Sequence, residues 1–115
     1  MIVKKIYKWL LNLFGYKKSS SQKPFTFVIV REFSEKIKDN ILYIEGNESL
    51  NDFWYALMKC PCGCNEKIML NLMDDATPYW KVRIVGSKAS ITPSIWRKVN
   101  CKSHFWFTNN EVVWV

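Results

Sequence analysis

From Phe25 onward, apolar and polar positions alternate in short runs, the spacing of strands buried on one face and wet on the other. Phe25-Thr26-Phe27-Val28-Ile29-Val30 is rich in strand formers, and Ile41-Leu42-Tyr43-Ile44 is a second such run, closed by Gly46-Asn47. Between them, Ser34 to Asn40 is polar enough for a turn or one helical turn. Further strands are expected over Phe53 to Met58, over Lys67 to Leu72, and over Trp80 to Val85, where apolar residues alternate with basic ones. Gly86-Ser87 turns the chain into Ala89-Ser90-Ile91-Thr92. The last hairpin is Phe105-Trp106-Phe107 and Val112-Val113-Trp114-Val115 around Thr108-Asn109-Asn110-Glu111, because asparagine tolerates the positive φ of tight turns. The pattern predicts a mainly β protein: a small antiparallel sheet or a sandwich.

The first residues follow a different period. At about 100° per residue, Lys4, Lys5, Lys8 and Asn12 share one face of a helix, and Ile2, Val3, Ile6, Trp9, Leu10, Leu13 and Phe14 cover the rest. Gly15 is a suitable stop, and Tyr16 to Lys23, with three consecutive serines, reads as a linker. The helix is too short and too charged to span a bilayer, and no small-residue cleavage site follows it, so no removable signal peptide is expected. The chain divides into a basic amphipathic segment, 1–23, and a β domain, 24–115. The amphipathic helix either packs on its own domain or a partner subunit, or rests on anionic lipid through residues 1–18, with Trp9 and Phe14 as wedges. The expected location is the cytoplasm, with the inner face of the membrane as the peripheral alternative.

Charge sharpens this division. The net charge is +7, yet six lysines and no acid fall in residues 1–23, which leaves 11 basic residues against 10 acids in the remainder. A nearly neutral domain argues against nucleic acid as partner, although Lys81, Arg83, Arg97, Lys98 and Lys102 make a local basic patch. Trp54, Trp80, Trp96, Trp106 and Trp114 are then expected to pack in the core and on sheet faces rather than stack on bases. At 115 residues the core is modest, and a metal clip would help it fold.

The side chains for such a clip are present. Cys60-Pro61-Cys62-Gly63-Cys64 and Cys101-Lys102-Ser103-His104 contain every cysteine and the single histidine of the chain. A tetrahedral zinc ion takes four sulfur or nitrogen donors, commonly from two short turns distant in sequence. Cys101 and His104, spaced C-x-x-H, would supply one pair, and two of Cys60, Cys62 and Cys64 the other, leaving a spare thiol. Cysteines two apart are badly placed for a disulfide, and the lack of a secretory signal points to a reducing compartment. Two alternatives use the same residues. An iron–sulfur cluster is one, although a single histidine excludes the Rieske type. Nucleophilic catalysis by a cysteine activated by His104 is the other, but no third residue is identifiable. Asp74-Asp75 reads as a solvated turn, and neither a phosphate-binding glycine loop nor a serine elbow is present.

Several segments carry a family resemblance: Val28 through Asn40-Ile41-Leu42-Tyr43-Ile44, Lys59-Cys60-Pro61-Cys62-Gly63-Cys64, Ile91-Thr92-Pro93-Ser94-Ile95, Cys101-Lys102-Ser103-His104-Phe105-Trp106-Phe107, and Val113-Trp114. In order and spacing the chain resembles, over about residues 25–115, the bacterial domain-of-unknown-function family sixty-five twenty-seven. The resemblance implies a small metal-binding protein. Some members are encoded beside ubiquitin-like conjugation genes, in operons implicated in phage defence. Where members usually carry glycine after the third cysteine this chain has Asn65, which reaches the same left-handed conformation. The expectation is a zinc-binding, non-catalytic interaction or adaptor protein whose partners are components of a ubiquitin-like conjugation system. The competing classes are an iron–sulfur or catalytic metalloprotein and a membrane-surface protein.

Overall fold

A computed structural model describes residues 23–98 and 100–115; the amphipathic helix expected over the first residues lies outside them. The first sheet contains β1 (Thr26–Val30), β2 (Ile41–Asn47), β3 (Asp52–Lys59) and β4 (Lys67–Asn71), in that spatial order. The second contains β5 (Lys81–Val85), β6 (Lys88–Trp96), β7 (His104–Thr108) and β8 (Glu111–Trp114), again in sequence order. Each sheet has one dry face. Leu42 and Ile44 of β2, Ala56 and Met58 of β3, and Ile68 and Leu70 of β4 share one buried cluster with Ala89, Ile91 and Ile95 of β6, Phe105 and Phe107 of β7, and Val112 of β8. The period-2 alternation thus places one face of each sheet against the other, as in a sandwich.

One pairing departs from the antiparallel expectation. β1 lies parallel to β2, with Thr26 opposite Ile41 and Val30 opposite Glu45. The polar connection after β1 forms no helix; it carries the chain back beside β1, and its single buried apolar residue, Ile37, anchors the return. Ten linking residues at about 3.3 Å each easily retrace a five-residue strand.

Two irregularities shape the strands. The register of β2 against β3 shifts between Glu45 and Gly46, where a Cβ would stand 2.7 Å from Phe53 Cα. Only glycine fits so close an approach. In the second sheet Ile91 pairs with Phe107 but Ile95 with Phe105, so Thr92-Pro93-Ser94 faces Trp106 alone. Proline cannot donate to a ladder and is tolerated at such a bulge. The bulge lets β6 continue to Trp96, beyond the Thr92 at which the alternation was expected to stop.

Asn110 ties three parts of the fold together. Its Oδ1 accepts the Ala89 N–H at 2.8 Å, its Nδ2 donates to the Ser87 carbonyl at 2.8 Å, and its own carbonyl accepts the Phe25 N–H at 2.7 Å. The side chain therefore joins the β5–β6 turn to the β7–β8 turn, while Phe25 packs edge-on against Phe107 at 5.3 Å. Asn110 is buried and left-handed, with φ of 67°. Asn110→Ala leaves a buried donor and acceptor unpaired and adds backbone strain, so denaturant unfolding should show a loss of about 2–4 kcal/mol.

Candidate metal centre and serine–histidine pair

The first cysteine turn begins where β3 ends. The Cys60 N–H donates to the Glu66 carbonyl at 2.8 Å and its carbonyl accepts the Gly63 N–H at 3.2 Å. Gly63, at φ 92°, and Asn65, at φ 67°, supply the left-handed residues that curl the turn. Cys60 is buried in the core, and Cys62 and Cys64 stand at the surface. Cys101 reaches them from the loop before β7.

All four Sγ atoms lie within 4.8 Å of one another. Cys60 Sγ is 3.4 Å from Cys62 Sγ and 3.5 Å from Cys101 Sγ, 41 positions away in the chain. A single tetrahedral ion with Zn–S bonds of about 2.3 Å separates its sulfurs by about 3.8 Å, so these four residues could hold one metal ion. The sequence leaves open which of the five donors bind; the structure brings all three cysteines of the first turn to the one from the second.

Ser103 seals this cluster from the protein side. Its buried hydroxyl lies 3.1 Å from Cys101 Sγ and accepts from Cys60 Sγ at 3.6 Å. The Ser103 hydroxyl draws the Cys101 thiol down to about 6, against opposing desolvation, whereas burial pushes Cys60 up to about 12. For Cys64 the Glu66 backbone N–H and, more weakly, Cys60 act to lower the value, but desolvation and the Cys62 and Cys101 thiols outweigh them and raise it. Four sulfurs in this space cannot all ionise without a cation among them. Beside the turn, Arg97 Nη2 lies 3.9 Å from Glu66 Oε1, and Arg97 Nη1 is buried without a hydrogen-bond partner. The basic patch read from the sequence thus loses Arg97, whose side chain is folded inward.

The structure does not bring His104 to the sulfurs. Ser103 is buried, so the pleat sends the next residue, the first of β7, to the outer face of the second sheet. There His104 Nε2 lies 3.0 Å from Ser94 Oγ. The imidazole meets a hydroxyl rather than one of the thiols considered for catalysis. Ser94 comes from the β6 bulge, and the Trp80 indole Nε1 holds the Ser94 carbonyl at 3.2 Å. Across the ladder from His104 stands Trp96, its ring stacked on the imidazole at 5.0 Å with planes 14° apart.

Ser94 is the residue that strand patterning overlooks. Its signal was present but indirect: a proline within a strand marks a bulge, and the serine after it is displaced from the ladder towards the sole histidine. Of the five tryptophans expected to pack, Trp80 and Trp114 rest against the core, whereas Trp96 and Trp106 are 57% and 44% exposed. Those two share the outer face of the second sheet with His104, Val113 and Val115. Among the described residues, no helix is long and apolar enough to cross a membrane.

The sequence profile of one family, "Bacterial ubiquitination-like system serine protease (BubE)", matches residues 29–115. The match contains both cysteine turns, the bulge and the last hairpin. No curated protein and no solved structure matches.

The geometry makes the sulfur set separable from the histidine. Serine at Cys60, Cys62, Cys64 or Cys101 should each reduce bound divalent metal well below one ion per chain, whereas His104→Ala should keep it, as elemental analysis would read. Metal should also leave as pH falls, because protons compete for the thiolates.

Proposed function

We propose that this chain, which belongs to the family of bacterial ubiquitination-like system serine proteases, is a serine peptidase built around a structural zinc site. Ser94 is its nucleophile and His104 its general base. The observation that carries this reading is the 3.0 Å contact between Ser94 Oγ and His104 Nε2, within the reach that proton transfer needs. A non-catalytic adaptor would leave that contact without a task.

In the proposed reaction, Ser94 Oγ attacks the carbonyl carbon of an amide as His104 Nε2 takes the hydroxyl proton. The C–N bond breaks, the amine leaves with the proton held on His104, and the acyl group remains on Ser94 as an ester. Water then attacks the ester, again giving a proton to His104, and Ser94 is restored. The family description supports amide bonds as the target, and on our reading the ubiquitin-like protein of such a system carries them and is the protein partner of residues 24–115.

Cys60, Cys62, Cys64 and Cys101 would hold the zinc. Sulfurs this close suit a single ion better than a multi-iron cluster, whose thiolates bind separate irons. When bound, the ion supplies folding free energy. The chain's own residues then pass that order to the dyad. Ser103 touches the cluster through its hydroxyl, and its carbonyl accepts the Arg97 N–H at 2.7 Å. The next pair along the same ladder is Trp96 with His104. A bound ion would thus help to fix where the base begins its strand.

A fluorophosphonate probe, which esterifies activated serines, tests the assignment. Wild-type protein should be labelled at Ser94; Ser94→Ala should abolish labelling and His104→Ala should slow it by about 100-fold or more. Both variants should retain one zinc ion per chain. Labelling that persists in Ser94→Ala would refute the nucleophile, and a wild-type chain inert to the probe would return the adaptor reading to first place.

A further inference from the structure

General bases of serine hydrolases need their imidazole held in one plane and the imidazolium stabilised, tasks often given to a carboxylate. Here, among the described residues, no aspartate or glutamate pairs with His104. What touches the ring instead is Trp96, stacked at 5.0 Å with the planes 14° apart. From this we infer that Trp96 is the positioning residue of the dyad, doing with an aromatic face what a carboxylate does elsewhere. The inference rests on the reading of Ser94 and His104 as nucleophile and base.

The geometry suits the task in three ways. A flat indole against the imidazole blocks rotation of the ring out of its plane while leaving the ring edge free, and it is the edge that presents Nε2 to Ser94 Oγ. Trp96 and His104 are direct partners across the β6–β7 ladder, so backbone pairing sets their spacing. The negative face of the indole attracts a cation, and the imidazolium formed during turnover is a cation lying on that face. Lys98 Nζ lies 5.0 Å from the centroid of the same ring, a cation contact of the indole whose own charge opposes the imidazolium and which the stacking must outweigh.

Packing does not explain the residue. Trp96 is 57% exposed, so little of its apolar surface contributes to the core. Removing it should therefore spare the fold and disturb the base.

The test uses the full chain and the fluorophosphonate probe, with saturation kinetics separating the maximal labelling rate from the half-saturating concentration. In Trp96→Ala the maximal rate should fall by about tenfold or more, a part of the general-base contribution, with half-saturation, zinc content and melting temperature unchanged. Trp96→Phe restores a stacking face and should recover most of the rate. A Trp96→Ala protein with the wild-type maximal rate overturns the inference, as does a change confined to half-saturation, which would make Trp96 a contact of the bound reagent. Failure of Trp96→Phe to recover any rate also overturns it. If the wild-type chain is not labelled at all, the dyad itself is lost and this inference with it. Labelling of wild type at Ser94 with an indifferent Trp96→Ala rejects the positioning role alone.

Discussion

The convergence of four sulfurs from two sheets is the constraint on which the rest of this small fold depends. Cys60 extends β3 of the first sheet, and Cys101 precedes β7 of the second. Their sulfurs touch the same buried serine, so one polar knot closes the end of the sandwich. The apolar core alone would not specify this closure, because alternating side chains permit sheets to slide or rotate over one another. Four directional bonds to one ion would remove that freedom. Ser103 passes the order onward, since its carbonyl and the following histidine begin the β6–β7 ladder.

The sandwich carries a second tie at the opposite kind of site, a neutral amide. Asn110 pairs with Ala89, Ser87 and Phe25 through short hydrogen bonds in a nearly dry position. Asparagine appears repeatedly where the backbone turns left-handed: Asn40, Asn51, Asn65, Asn100, Asn109 and Asn110 all have positive φ. Its short amide can pair with nearby backbone groups and so lowers the cost of that conformation. Among the described residues, positive φ falls on asparagine more often than on glycine.

The strands were legible because their alternation is local. In Trp80 to Val85 the alternation of apolar and basic residues can be read from neighbouring positions, and the strand's burial alternates in the same way. The final hairpin was legible for the same reason, through Asn109-Asn110. Features that depend on long-range pairing were not. Nothing near Thr26 indicates that it will lie parallel to Ile41, and a bulge that sets three residues against Trp106 is a property of two strands. The donor set illustrates both cases. Clustering made all four cysteines conspicuous, but His104, three positions after Cys101, looked like their companion. Its true direction is decided by the buried Ser103 and the pleat that follows. Ser94 lay hidden because strand reading treats a serine after proline as the end of an element.

The spacing Cys101-Lys102-Ser103-His104 serves two geometries that measure the chain differently. The cluster counts distance, and needs Cys101 close to Cys60; the sheet counts parity, and needs an even step from His104 to Trp106 along one face. Lys102, left-handed and exposed, touches neither demand and can be exchanged for glycine or asparagine, which suit its φ. The length of this segment cannot change. One residue gained between Cys101 and His104 would preserve every side chain yet invert which of them look inward, carrying the imidazole from the surface into the sandwich. Insertions here act as reversals of sidedness, so in this chain the length of the stretch matters as much as its side chains.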